Sequence, residues 1–254
     1  MPNMIFIEQI INCTQHNDYK NSKRSTPFTI ARSTLNYVSN PNHKTFIDKI
    51  IGKGKVLAQK VNPAAANYST KTRKKERLIN NATAGLLAEY AWKQYINQKA
   101  GTKVVDYTEF TDAATQIDLY VISNNKLIEV RSSFPQNGLV FAICHATFEF
   151  DILGPYSNTV KPGEIQKDFY TRTLYHIPKN TSFMELLKKD NFKVYLTGGA
   201  TWDMMTNTDV SKNKDLLPQD AVTIAEEEKS TYRVVPFSKA LDTDKIFDLI
   251  NPNN

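Results

Sequence analysis

The residues with the clearest capacity for chemistry lie on two apolar runs, residues 115–123 and 126–133, separated only by Asn124 and Asn125. Runs rich in Ile, Leu and Val around a two-residue loop read as a β-hairpin, because Asn tolerates the positive φ angles such a turn requires. Pairing Ser123 with Lys126 sets Asp118 opposite Arg131 and Tyr120 opposite Glu129, and paired residues project from one face. One face then carries Ile117, Leu119, Val121, Ile128 and Val130, and the other carries Gln116, Asp118, Glu129, Arg131 and Ser133. On the polar face Asp118 and Glu129 become diagonal neighbours, at a separation that one divalent ion or a pair of ions bridges through carboxylate oxygens. The competing interpretation is a solvated network of both acids with Arg131, which contributes little to stability on an exposed sheet.

A third acid precedes the hairpin. Residues 78–98 have the periodicity of a helix, with Gly101 as a stop just beyond it. Ala82, Leu86, Glu89, Trp92 and Ile96 recur at spacings of three and four and therefore share one face. Glu89 stands in the middle of this apolar stripe. Either its stem packs while its head reaches water, or it turns toward the acids of the hairpin.

Taken together, Gly85-Leu86-Leu87-Ala88-Glu89, then Ile117-Asp118-Leu119, then Ile128-Glu129-Val130-Arg131 resembles the PD-(D/E)XK, or restriction-endonuclease-like, nuclease superfamily over roughly residues 78–150. The resemblance implies an α/β fold, a mixed central β-sheet flanked by helices, with a helical glutamate, a strand aspartate and a Glu-x-Lys on the adjacent strand. It implies metal-assisted hydrolysis of phosphodiester bonds in double-stranded DNA. Asp118, Glu129, Glu89 and the Val130 carbonyl would be the ligands of Mg²⁺, for which Mn²⁺ can substitute. Asp118, Glu129, Arg131 and Glu89 would be the catalytic residues. One departure is plain: Arg131 stands where the family usually has lysine. Arginine stays protonated, so it can stabilise charge but cannot act as a base. A type II restriction endonuclease working as a homodimer is the leading expectation. A repair or junction-resolving nuclease and a catalytically inactive DNA-binding protein of the same fold are the alternatives.

The remaining sequence must position and feed such a site. Net charge is +6, but residues 1–80 hold 14 Lys or Arg against four acids, leaving an excess of acids in the rest. The basic run Lys71, Arg73, Lys74, Lys75 and Arg77 suits a polyanion, since neutralising phosphates releases counterions, although charge runs also serve as solvated surface. Residues 1–75 are therefore expected to form a basic extension that contacts DNA, ahead of a nuclease domain over residues 76–254. A short helix is expected over residues 43–52, ended by Gly52 and Gly54. Residues 139–145, 167–177, 192–196 and 232–235 read as strands, with nucleic-acid backbone contact through Lys167, Tyr170, Arg172 and Tyr175 as the alternative for the second, and residues 243–250 read as a terminal helix.

Other chemistries find less support. His16, His43, His145 and His176 show no metal-ligand spacing. Gly198 and Gly199 lack the Gly-Lys-Ser/Thr of a phosphate loop and read as a strand-ending turn. Ser132 and Ser133 have no adjacent base. Cys13 and Cys144 are too few for a disulfide framework and are expected to be free thiols. No apolar run approaches the roughly 20 residues of a membrane span, and the start lacks a basic leader, so the expected location is the cytoplasm.

Overall fold

The computed structural model describes residues 4–13, 26–60, 75–108, 118–145, 150–157, 164, 166–216 and 230–252. In chain order the elements are β1 (Phe6–Ile11), β2 (Phe28–Leu35), α1 (Pro41–Lys60), α2 (Lys75–Ala100), β3 (Val105–Tyr107), β4 (Leu119–Val121), β5 (Leu127–Ser133) and α3 (Leu139–Cys144). There follow β6 (Asp151–Ser157), β7 (Phe169–Leu174), α4 (Phe183–Leu187), β8 (Phe192–Thr201), α5 (Trp202–Thr206), β9 (Lys212–Leu216), β10 (Ser230–Pro236) and α6 (Thr243–Ile250).

The fold is α/β. A mixed seven-stranded sheet runs β1-β2-β8-β7-β5-β4-β3, and a three-stranded sheet runs β6-β10-β9. Neighbours in the large sheet are antiparallel except β5 and β7, which run parallel. Strands such as β2 bury residues on both sides, and each side feeds a separate apolar cluster. Ala31 and Leu35 join one with α1, α2 and α6, while Phe28 and Ile30 join another with α3, Met205, Val235 and Phe237. No helix of the described residues is long and apolar enough to cross a membrane.

The expected division near residue 75 does not correspond to a separate extension. β1 and β2 complete the large sheet through β8, and α1 packs along α2. That α1 is a 20-residue helix corrects the expected stop at Gly52 and Gly54. It starts at Pro41, a favoured first helical residue, with the Asn40 side chain accepting from the Asn42 and His43 N–H groups at 3.0 and 3.2 Å. Gly54 does not break the helix but lets it approach its neighbour, because a Cβ there would stand 2.3 Å from Thr83 Oγ1.

Two further expectations change. Residues 139–145 form helix α3 and no strand, since an apolar run this short has no decisive period. Gly198 and Gly199 lie inside β8 and do not end it. Gly198 has φ +79° and sits where the β7–β8 register shifts, between Thr171 and Thr173. A Cβ on it would fall 2.0 Å from the Leu241 carbonyl oxygen. The strand expected over residues 167–177 is present as Phe169–Leu174, and the strands expected over 192–196 and 232–235 and the helix Thr243–Ile250 are also present. Cys13 and Cys144 form a disulfide and are not free thiols, their Cα atoms 5.1 Å apart where the end of β1 meets the end of α3.

Candidate active site

α2 carries Glu89 and is held against the sheet at both ends of the region that matters. Tyr175, just after β7, donates from its hydroxyl to the Ala84 carbonyl at 2.8 Å. Asn97 clasps the approach to β3, accepting from the Val104 and Val105 N–H groups at 2.8 and 2.9 Å and donating to the Val105 carbonyl at 3.0 Å. The helix outlasts the expected bounds by a few residues and stops at Gly101, φ +67°. Trp92 and Ile96 of the expected stripe are fully buried, whereas Ala82, Leu86 and Glu89 sit at its margin.

The hairpin differs from the expected register by two residues. Leu119 pairs with Ile128 and Tyr120 with Leu127, and residues 122–125 make the turn, closed by the Val121 N–H donating to the Lys126 carbonyl at 2.8 Å. Asn125 takes the left-handed conformation, φ 56°, and the Asn124 side chain accepts from the Lys126 N–H at 3.0 Å. The Asn-Asn pair thus makes a longer loop than a two-residue turn. A shift of two preserves the faces: Leu119, Val121, Ile128 and Val130 are buried in the helix-side core. Residues 109–117, with Gln116 and Ile117, lie outside the described residues.

Asp118 immediately precedes β4, and Glu129 lies in its neighbour β5. Asp118 Oδ2 accepts from the Val130 N–H at 2.7 Å, which pins the carboxylate to β5. Val130 thus contributes its N–H to the hold on Asp118. Glu129 is 7% exposed. Its Oε1 is 2.9 Å from Arg131 Nη2 and its Oε2 is 3.4 Å from Lys167 Nζ, yet Oε2 accepts no hydrogen bond. Arg131 Nη2 also donates to Glu164 Oε1 and Oε2 at 2.9 and 2.8 Å, and the guanidinium lies 5.6 Å from the centre of the Tyr156 ring.

The carboxylates sense one another. Burial pushes the Glu89 carboxyl up to about 8, reinforced by the negative charge of Glu129 and eased by Lys53. Burial likewise raises Asp118 well above the usual carboxylate range, with Glu129 and Glu89 adding to it and the Val130 N–H and Arg131 opposing it. Burial disfavours the Arg131 charge, but Glu129 and Glu164 outweigh that and hold it charged. Acids that raise one another's proton affinity are acids that a cation would stabilise. Among the described residues, however, no three His, Cys, Asp or Glu side chains are grouped so as to hold a metal ion. Glu89 therefore shares the field of Asp118 and Glu129 without standing beside them as a third ligand.

Of the expected nucleic-acid contacts, Lys71, Arg73 and Lys74 lie outside the described residues. Lys75 is exposed and Arg77 half-buried in the first turn of α2. Glu164 and Lys167 were not anticipated at the site. Their one signal in the sequence is that both are charged residues a few positions ahead of β7, which does not reveal the partner.

No family model matches the chain, and no solved structure matches it. Among curated proteins it is similar to an uncharacterized protein of Methanocaldococcus jannaschii, 27% identical over 240 residues that span 80% of this chain and 81% of that one.

Proposed function

We propose that this protein is a Mg²⁺-dependent endonuclease that hydrolyses phosphodiester bonds of double-stranded DNA, most simply a type II restriction endonuclease acting as a homodimer. One observation carries the reading: Asp118 and Glu129 share the polar face of the hairpin, and Glu129 hinders the ionisation of both Asp118 and Glu89. In support of the reading, the helix that carries Glu89 precedes the adjacent strands β4 and β5, which lie in a mixed sheet packed against helices.

The donor set fits a hard divalent ion. It consists of carboxylate oxygens, among them Glu129 Oε2, buried and without a hydrogen bond. Asp118 and Glu129 with the Val130 carbonyl would hold such an ion, whose contribution would be to lower the pKa of water and neutralise charge on the scissile phosphate. Arg131 is fixed and permanently charged, so it supplies positive potential where the phosphate's charge grows. Glu89 faces the pair from the helix side and, once ionised, would add to the negative potential that recruits the cation. The basic start of α2 lies about 21 Å from Glu89 along the helix axis at 1.5 Å per residue. That is about six base-pair steps of duplex, so Lys75 and Arg77 can grip DNA flanking the cut.

Supercoiled plasmid incubated with Mg²⁺ or Mn²⁺ tests the reading. Wild-type protein is expected to cut it, in discrete bands if restriction is the role, and Asp118→Ala is expected to abolish cutting while still binding DNA. Binding without cleavage across metals and DNA sequences would instead favour an inactive DNA-binding protein.

A further inference from the structure

Helix α1 carries five exposed lysines, Lys44, Lys49, Lys53, Lys55 and Lys60, and they are not spread evenly around it. At 3.6 residues per turn, Lys49, Lys53 and Lys60 fall in one stripe, along one flank of the buried face that holds Phe46, Ile50 and Gly54. Lys44 and Lys55 fall on the other flank, which has mixed charge and local partners. There Asp48 accepts from the Tyr37 hydroxyl at 2.9 Å, and the Lys44 ammonium lies 5.8 Å from the centre of the Tyr37 ring.

The stripe itself contains no acid. Lys49 and Lys53 stand one turn apart, with no Asp or Glu three or four residues from either, and neither makes an ion pair or a hydrogen bond among the described residues. Like charges at this spacing repel each other, whereas a surface that only keeps a protein soluble interleaves both signs. A one-signed stripe whose repulsion nothing in the chain relieves calls for an anionic ligand of matching length.

The stripe also lies on the flank that faces the candidate site. The Phe46 ring centre is 4.5 Å from that of Tyr90, and Gly54 meets Thr83, so α1 runs antiparallel along α2. Lys49 is thereby level with the turn that carries Glu89, and Lys60 with the first turn of α2, where Lys75 and Arg77 lie. The Glu89 carboxyl, pushed up by burial and by Glu129, is eased by the nearby Lys53 ammonium.

We propose that Lys49, Lys53 and Lys60 form a track for one strand of duplex DNA, their ammonium groups meeting its phosphates and leading the backbone from the first turn of α2 to the carboxylates. The inference rests on the nuclease reading for its ligand. The stripe covers eleven residues of helix, about 17 Å or about five steps of duplex, which is the gap between Lys75 and the acids. An ammonium on a flexible stem meets a phosphate as a point charge, and contacts to phosphates fix position without reading bases. The track therefore holds DNA of any sequence.

Anisotropy of a labelled duplex, measured over a range of salt concentrations with EDTA in place of metal so that nothing is cut, tests this. Each phosphate contact adds about 0.9 to the slope with which log affinity falls with log salt. Lys49→Gln combined with Lys53→Gln is therefore expected to make that slope shallower by about 2, equally for unrelated duplex sequences. Lys44→Gln combined with Lys55→Gln removes the same charge from the other flank of the same helix and should change the slope by less than about 0.5. Lys49→Arg combined with Lys53→Arg keeps the charges and should keep the wild-type slope. A thermal midpoint no lower than wild type shows that the glutamine variants are folded. Equal loss of slope from the two flanks, or none from Lys49 and Lys53, would overturn the track and leave the nuclease reading standing. The expected slopes in a protein that cuts DNA with no metal would keep the track and overturn the nuclease reading. A wild-type protein that does not bind duplex DNA would overturn both.

Discussion

Glu89 shows how a site can cost a fold stability. Its carboxyl ordinarily titrates near 4.5 and is raised to about 8 by burial and by Glu129. Between those values the unfolded chain has released a proton that the folded chain still holds, so stability falls as pH rises through the window, by up to about 1.4 kcal/mol per pH unit. Below the window the difference vanishes. Glu89→Gln is therefore expected to raise the thermal midpoint of the metal-free protein at pH 8 and to leave it nearly unchanged at pH 4. Equal midpoints at pH 8 would mean that Glu89 ionises as freely in the folded chain as in the unfolded one. At this scale the sequence was partly legible. The faces of the hairpin survived a register error because the error was an even number of residues, so Asp118 and Glu129 stayed together. Glu164 escaped notice, and Lys167 read only as part of a strand or a nucleic-acid contact, because they reach Arg131 and Glu129 from a segment more than thirty residues further along the chain, and no local period reports such a contact.

At the scale of elements, close approach between helices matters more than propensity. Gly54 reads in the sequence as a breaker, yet its lack of a Cβ is what allows α1 to lie on α2 at Thr83. Gly54→Ala would gain up to about 1 kcal/mol of helix propensity. It is nevertheless expected to destabilise the protein by about 1 to 3 kcal/mol from overpacking, since the added Cβ also stands 3.0 Å from the Thr83 Cα, which cannot rotate away. Urea denaturation measures this, and a stabilised variant would show that the two helices can part at little cost. The same limit explains the other misread elements. A local reading sees Gly198 as a turn, whereas the Leu241 strap crossing β8 is what requires a glycine there. A short apolar run such as Leu139–Cys144 packs equally well as strand or helix until its neighbours are known. The long periodic helix α2 and the terminal helix α6, capped by Asp242 accepting from the Lys245 N–H at 3.0 Å, were legible because their signals are local.

For the whole molecule, the disulfide joins residues 131 apart in sequence and so closes a loop of more than half the chain. Long loops lose the most conformational freedom when closed, and such a bridge contributes about 2 to 4 kcal/mol. Reduction with dithiothreitol is expected to lower the denaturation midpoint by a corresponding amount, as is Cys13→Ser. If neither treatment moves the midpoint, the ends of β1 and α3 are held by packing alone. The basic first third, expected to be an extension, proved to include two strands and a helix of the main body. Charge reports what a surface could meet, but not whether its segment is buried in a sheet.

The order of the strands also bears on how the chain comes into being. β2 lies between β1 and β8, so the hairpin made from the first 35 residues has no place in the sheet until residues 192–201 exist. β7 likewise has β5 on one side and waits for β8 on the other. On a ribosome adding about 5 to 20 residues per second, two half-sheets with open edges persist for on the order of 10 s, and β8 then joins them. A chain released before β8 is complete carries both halves of the large sheet without the strand that pairs with each of them. Incomplete products of this protein should therefore associate with one another or be degraded, and the intact site, which straddles β5 and the approach to β7, is among the last features to be secured.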